Sequence, residues 1–243
     1  VEFDLMEWVG KIGGKLMPPG FYYKTFMAPQ KMWMTYEKFI RKAAGFGKLS
    51  LEPDPDTYDK LNVHCDVMVV GAGPAGLAAA LEAGRSGKRV IIVDEQNEFG
   101  GTLLASNQTV DGVDAAAWAE QATNELVGMA NVTVMPRTTA FGYYDHNFVC
   151  ALERRTDHIS PVSVSGSRQR LHRIRAHQVI LATGAIERPL VFGNNDLPGI
   201  MLANSVSTYI NRYAVVPGHR CIVMTTNDTG YQTALDIQAA GRT

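Results

Sequence analysis

Hydrophobic and polar positions change their pattern near His64. Before it, residues 1–62 mix aromatic, Met and Pro residues without a sustained period, and a helical pattern stands out only across Met32–Ala44. After it, the apolar run CDVMVV predicts a buried strand and GAGPAG a turn. LAAALEAGRSG then predicts a helix ending at Gly87, and KRVIIVD a second strand. This strand–helix–strand order predicts a parallel sheet. Asp111–Ala130 carries another helical period, and NVTVMP supplies a third strand.

From Thr138 to Ala176 a strand, a DHN turn, a second strand and the basic RLHRIRA segment predict a three-stranded antiparallel meander lying across one face of the sheet. QVILATG, Gln178–Gly184, returns to a buried strand, and a helix follows near Ala203–Tyr213. RCIVMTTNDTGYQTALDIQAAG then repeats the order strand, turn, helix.

Composition narrows the function classes. With 46% hydrophobic and 19% charged residues in 243, the chain is of ordinary globular type. The 23 Lys and Arg against 24 Asp and Glu leave a net charge of -1, so no bulk field concentrates nucleic acid or an anionic membrane. The most apolar stretch, Val67–Ala83, is broken by Gly71, Gly73, Pro74 and Gly76 and is too short to span about 30 Å of hydrocarbon. No secretory signal is visible, and both ends read as positions inside a longer protein. Three cysteines without a CxxC spacing argue against a disulfide framework or zinc site and fit a reducing, cytoplasmic compartment. None of the six histidines has metal-ligand spacing or a nearby Cys or carboxylate partner set, so no metal is expected. Arg168, Arg170, Arg173 and Arg175 read as alternating along one solvated strand face.

The chemistry concentrates at the first turn. Gly71, Gly73 and Gly76 follow a strand and open a helix, and Asp94 closes the next strand twenty-three positions after Gly71. Gly71 permits the tight turn, Gly73 lets a pyrophosphate approach the backbone, and Gly76 lets the helix lie close on the strand. The helix N-terminus at Pro74 and Ala75 offers free N–H groups to phosphate. Asp94 can accept from a ribose 2′-OH and would repel a 2′-phosphate, which favours NAD or FAD over NADP. Gly101 and Thr102, in the FGGT turn after the second strand, are placed to close over the diphosphate. Thr183 and Gly184 lie where a strand's carboxyl end meets the cofactor crevice of an open sheet. In the second strand–turn–helix the corresponding positions are Thr225, Asn227 and Gly230, and the Asn227 side chain stands where a pyrophosphate would approach. A disulfide reductase would carry a Cys pair just beyond FGG, where this chain has TLLASNQ. The fold expected is α/β: a Rossmann-like parallel sheet with a three-stranded antiparallel meander, plus the start of a second Rossmann-like domain. The expected organisation is an extension over residues 1–60, a dinucleotide-binding domain over 61–215, and a truncated second domain over 216–243.

GAGPAG, the acid closing the second strand, FGG, the meander and VILATGA together resemble the flavoproteins with two dinucleotide-binding domains. LMPPGFYYKTF, EKFIRKAAGFGKL, HCDVMVVGAGPAGLAAALEAG, VDEQNEFGG and ATGAIERPLVFGNNDLPGIMLA are more specific. They resemble the α subunit of heterotetrameric sarcosine oxidase across nearly the whole chain. The resemblance implies NAD at the first glycine motif, with FAD as the alternative at that site, and FAD and FMN in or at a partner subunit. It adds Glu95, Gln96 and Ala140 to the NAD-lining residues, implies β, γ and δ subunits as partners, and carries over no catalytic residue. It implies a complex that oxidises sarcosine to glycine, releases hydrogen peroxide and passes a one-carbon unit to tetrahydrofolate. The alternatives are the α subunit of a dye-linked proline, opine or cyanide-forming dehydrogenase, and a non-catalytic nucleotide-binding scaffold.

Overall fold

The computed structural model describes residues 29–45, 47, 50–159 and 166–241. The chain divides into two compact units between Pro55 and Asp56. In the first unit, a single 3-10 turn at Gln30–Met32 leads into helix α1, Trp33–Ala43. An Arg41–Glu37 ion pair one turn apart braces that helix. LMPPGFYYKTF lies outside the described residues.

The second unit is an α/β structure. Its chain order is β1 (Tyr58–Val70), α2 (Pro74–Arg85), β2 (Val90–Val93), the short β3 (Thr109–Val110) and β4 (Val113–Asp114), then α3 (Ala115–Gly128). β5 (Val132–Met135), β6 (Thr138–Tyr144), β7 (Phe148–Arg154), β8 (Gln169–Leu181), α4 (Ala203–Tyr213) and α5 (Thr229–Ala239) follow. Six strands form one sheet in the order β5-β2-β1-β8-β7-β6, while β3 and β4 make a separate antiparallel pair. β5, β2, β1 and β8 run parallel to their neighbours; β8, β7 and β6 are antiparallel and form the meander. Asp114 begins α3 because its carboxylate accepts from the N–H groups of Ala116 and Ala117, both at 3.1 Å.

The sheet serves two layers. On one side Val67, Val69, Val90 and Ile92 pack against Leu77, Ala80 and Leu81 of α2 and Ala119, Ala122 and Leu126 of α3. On the other, Met68, Val70, Ile91 and Val93 pack against Val149, Ala151, Ile174 and Ala176 of the meander. β1 and β8 belong to both layers. Along β1 the residues facing the meander core are Val63 and Cys65 and then Met68 and Val70; along β8 they are Ile174 and Ala176 and then Val179. In a regular strand the same face recurs every second residue. Both strands therefore change face at one place, where the ladder passes from Cys65↔Ala176 to Val67↔Gln178 and omits Asp66 and His177.

Five sequence expectations need correction. RLHRIRA and the first four residues of QVILATG are one continuous strand, β8, which ends at Leu181, and β1 begins at Tyr58, well before the apolar run. The polar half of β1 is held by pairing with β8 from Tyr58↔Gln169 onward, which hydrophobic patterning does not reveal. The strand expected in RCIVMTT is absent: residues 221–225 pair with no described strand, and Ile222 is 98% exposed. An extended segment without a neighbouring ladder has nothing to satisfy its backbone groups except water. The arginines do not share one face, because Arg170 falls on the side of buried His172 and Ile174 whereas Arg173 and Arg175 fall on the exposed side. Finally, His172 does have a carboxylate partner, its Nε2 standing 2.8 Å from Oε2 of Glu153 across the β7–β8 pair. Strand pairing brings those two together from nineteen residues apart.

Candidate functional site

The first glycine turn is built as its residue types require. β1 ends in fully buried Met68 and Val69, and the chain reverses at Gly71 with φ +97°, a left-handed value that disfavours any side chain. A Cβ on Gly71 would lie 2.3 Å from the Ala182 carbonyl oxygen, so β1 and the end of β8 can be this close only through glycine. A Cβ on Gly76 would lie 1.8 Å from the Gly71 oxygen, which makes α2 dependent on glycine for its seat on the strand. Gly73 differs: its φ is -72° and a Cβ there would meet no atom within 4 Å. The backbone at Gly73 faces open space.

That space is bordered by donors. Leu77 N–H donates to Gly73 O at 2.9 Å, closing the first turn of α2. The N–H groups of Gly73, Ala75 and Gly76 precede the intrahelical ladder, and Pro74 at the first helical position contributes no N–H. Pro74 and Ala75 are exposed. The helix end therefore presents a partial positive charge and orphan donors to any anion in front of Gly73.

The acid expected for ribose is also in place. Asp94 Oδ2 accepts from Ala72 N–H at 2.7 Å, and Oδ1 accepts from Gln96 N–H at 2.9 Å. Asp94 thus fixes the glycine turn as well as flanking it, and each oxygen keeps a second lone-pair direction for a diol. The FGG turn lies on the glycine turn: Gly100 N–H donates to Ala72 O at 2.8 Å, and a Cβ on Gly101 would stand 3.0 Å from the Gly73 Cα. Gly100 has φ +133° and Gly101 φ +54°. Thr102 is exposed in the 3-10 turn Gly101–Ala105 that follows. Ala182 N–H donates to Val70 O at 2.8 Å, which brings Thr183 and Gly184 beside the same turn. Both are exposed, and Gly184 has φ +73°.

Glu95 and Gln96 are exposed on the loop after β2. Sequence reasoning missed what holds that loop. Arg137 N–H donates to Gln96 O at 2.8 Å, Thr138 N–H donates to Asp94 O at 2.7 Å, and the Arg154 guanidinium donates to Glu95 O. Ala140 is half-buried two residues along β6 from Thr138 and packs toward the meander core. α4 secures the FGG side: Asn211 Nδ2 donates to Ala105 O at 3.0 Å, Asn107 donates to Asn211, and Arg212 pairs with Glu98 at 2.6 Å.

The second turn is closed on itself. Asn227 Oδ1 accepts from Thr229 N–H at 3.1 Å and from the Thr229 hydroxyl, so its amide occupies the start of α5. A Cβ on Gly230 would lie 2.6 Å from the Thr225 side chain. Cys65, Cys150 and Cys221 are all free thiols, and burial pushes the Cys65 thiol up to about 11. Among the described residues no three His, Cys, Asp or Glu side chains gather as a metal site, and no helix is long and apolar enough to cross a membrane.

Comparison with known proteins agrees with this geometry. The family model of the pyridine nucleotide-disulphide oxidoreductases matches residues 65–223. The sarcosine oxidase α subunit of Rhizobium meliloti (strain 1021) is 52% identical over 237 residues, covering 96% of this chain and 24% of that protein. An opine oxidase subunit of Agrobacterium tumefaciens (strain Ach5) is 30% identical over 183 residues, covering 72% of this chain and 35% of that protein. The L-proline dehydrogenase structure from P. horikoshii aligns with a TM-score of 0.58 at 26% identity, covering 79% of this chain and 36% of that one. The chain thus spans about a quarter of the length of the sarcosine oxidase subunits it matches. With its glycine turn, its parallel sheet and a match over most of its length, the chain belongs to the pyridine nucleotide-disulphide oxidoreductase family and, within it, is similar to the α subunits of sarcosine oxidase.

Proposed function

We propose that the second unit binds NAD⁺ at the first glycine turn, as part of the α subunit of a cytoplasmic sarcosine-oxidising complex. The observation that carries this reading is the pairing of the open position at Gly73 with the Asp94 carboxylate anchored 2.7 Å from Ala72 N. One feature suits a diphosphate and the other a ribose, and a single rigid turn connects them. In this reading the N–H groups of Gly73, Ala75 and Gly76 hold the diphosphate, and Pro74 fixes their direction. Asp94 accepts from the ribose 2′-OH, with Glu95, Gln96 and Ala140 bordering the adenosine. Gly101 and Thr102 close over the diphosphate, and Thr183 and Gly184 bound the crevice from the β8 side. The nicotinamide of NAD⁺ is chemically a hydride acceptor; here the dinucleotide is retained without turnover. Oxidation of sarcosine to glycine with peroxide release belongs to FAD and FMN in or at the partner β subunit, within a complex that also holds γ and δ subunits and passes the one-carbon unit to tetrahydrofolate. Residues 1–60 serve as an extension, and residues 216–243 begin a second nucleotide-binding-like domain whose turn, plugged by Asn227, is empty of dinucleotide.

FAD at the same turn is the second reading, because the ADP half recognised by Gly73 and Asp94 is common to both cofactors. The similarity to an opine oxidase and to a proline dehydrogenase supports those amines as alternative substrates. A non-catalytic scaffold that uses the dinucleotide only to hold its fold is the remaining alternative. The test is the visible spectrum and mass of ligand released from purified protein, followed by assay of the reconstituted complex with sarcosine and with proline. A colourless protein releasing NAD⁺ and a preference for sarcosine are expected; a flavin mass or a preference for proline rejects the corresponding part.

A further inference from the structure

A cleft of about 270 Å³ opens between β5 and the far end of the β7–β8 hairpin, beyond the loop that carries Glu95 and Gln96. Arg137, Glu153, Arg154, Arg155, His158 and Ser167 line it. Three guanidinium groups against one carboxylate make it cationic, and most of these charges are already committed. Arg154 donates to Glu95 O, and Arg155 donates to Ser167 Oγ at 2.7 Å and lies 3.5 Å from Asp59. Glu153 is held by His172 at 2.8 Å.

Arg137 is the exception. Among the described residues the half-buried arginines are Arg137, Arg155, Arg170 and Arg212. Arg155, Arg170 and Arg212 each have a carboxylate partner, whereas the Arg137 guanidinium has no hydrogen bond or ion pair. A partly desolvated guanidinium without a partner is unfavourable unless something in the cleft completes it. The backbone at Arg137 is left-handed, with φ +54°, a conformation rare for a side chain of this size. It is pinned on both sides: its N–H donates to Gln96 O at 2.8 Å and its carbonyl accepts from Arg154 N–H at 2.9 Å. Arginine thus stands at a left-handed position that glycine would occupy more easily, on the wall of a cationic cleft. We propose that this cleft is a subsite for a small phosphate-type oxyanion, received by the free fork of Arg137 and separate from the dinucleotide site.

Inorganic phosphate, titrated by calorimetry into the intact protein at low ionic strength, is the probe. Saturable binding is expected to weaken at least tenfold in Arg137→Gly. That substitution also relieves the left-handed backbone, so its melting temperature should equal or exceed that of the unsubstituted protein. Arg137→Lys, which keeps the charge and loses the fork, should lie between the two; if the glycine variant fails to fold, Arg137→Gln takes its place with the same tenfold threshold. Saturating NAD⁺ should leave phosphate binding intact. Absence of saturable phosphate binding, equal binding by the variants, or displacement by NAD⁺ would overturn the proposal. Because the phosphate titration needs no dinucleotide, its result stands apart from the identity of the ligand at the glycine turn.

Discussion

Asp66 sits at the point where β1 changes face, and Arg89, which leads into β2, holds it by three hydrogen bonds. Nη2 donates to Oδ1 at 2.7 Å, and Nε and the backbone N–H donate to Oδ2 at 3.2 and 2.9 Å. The carboxylate that interrupts the β1–β8 ladder is thereby tied to the neighbouring strand. The Arg89 side-chain and backbone hydrogen bonds, helped by the charges of Arg89 and His177, hold the Asp66 carboxyl well below the usual carboxylate range.

A carboxyl depressed in the folded state stabilises the fold above its unfolded pKa, near 4, and loses that contribution as pH falls through the folded value. Asp66→Asn should therefore melt lower than the unsubstituted protein at about pH 7, and the gap should close as pH drops below about 4. Because Arg89 is 59% exposed, added salt should narrow the gap too. Thermal melts across pH check this; a gap that stays constant to strongly acid pH would contradict it.

Two glycines in one motif should respond oppositely to the same substitution. Gly76→Ala places a methyl where the Gly71 oxygen already stands, and a loss of more than about 4 kcal/mol, or failure to fold, is expected. Gly73→Ala meets nothing within 4 Å and should change stability by less than about 0.5 kcal/mol while weakening NAD⁺ at least tenfold. Melting curves and NAD⁺ titration separate the two; unchanged affinity in Gly73→Ala would remove the diphosphate from this turn.

Asp94 has two duties, and two substitutions divide them. Asp94→Ala strands the N–H groups of Ala72 and Gln96, at a cost of about 1–3 kcal/mol in stability. It should also weaken NAD⁺ by roughly ten- to a hundred-fold, the loss of about 1.5–3 kcal/mol for a charge-assisted bond to ribose. Asp94→Asn retains one oxygen acceptor and should recover part of both. Full NAD⁺ affinity in Asp94→Ala would show that ribose is held elsewhere.

Asn227→Ala should act on stability alone. It removes the acceptor for Thr229 N–H in the turn before α5, an exposed hydrogen bond worth about 0.5–1.5 kcal/mol. Dinucleotide affinity measured on the same preparation should not move; a parallel loss of both would mean that the second turn takes part in binding.

What was legible in the sequence is what depends on short spacing. Gly71, Gly73 and Gly76 declare their roles within six residues, and Asp94 follows after a helix of ordinary length; the open Gly73 and the tight Gly71 and Gly76 repeat that reading in atomic distances. The meander was readable from its DHN turn, where His146 and Asn147 take left-handed φ values of +58° and +51° between β6 and β7. The polar half of β1 was not, because residues such as Asp59 become strand only through partners such as Arg170, 111 positions away. Separation along the chain, 59 positions between Arg154 and Glu95, likewise hid Arg137 and Arg154 as supports of the Glu95 loop. RCIVMTT erred in the other direction: its apolar residues suit a strand, but among the described residues no neighbour receives it.

The shared ladder of β1 and β8 sets the order in which this unit can assemble during synthesis. Among the described residues, until 169–181 have left the ribosome β1 has four-residue β2 beside it and Tyr58–Cys65 has no partner strand. Contacts separated by this much chain close slowly, and a bare strand edge is a template for wrong pairing. A nascent chain arrested before Gln169 should stay protease-sensitive at residues 58–65, whereas one extended past Leu181 should protect them, so the unit passes through its most aggregation-exposed interval just before its central strand arrives.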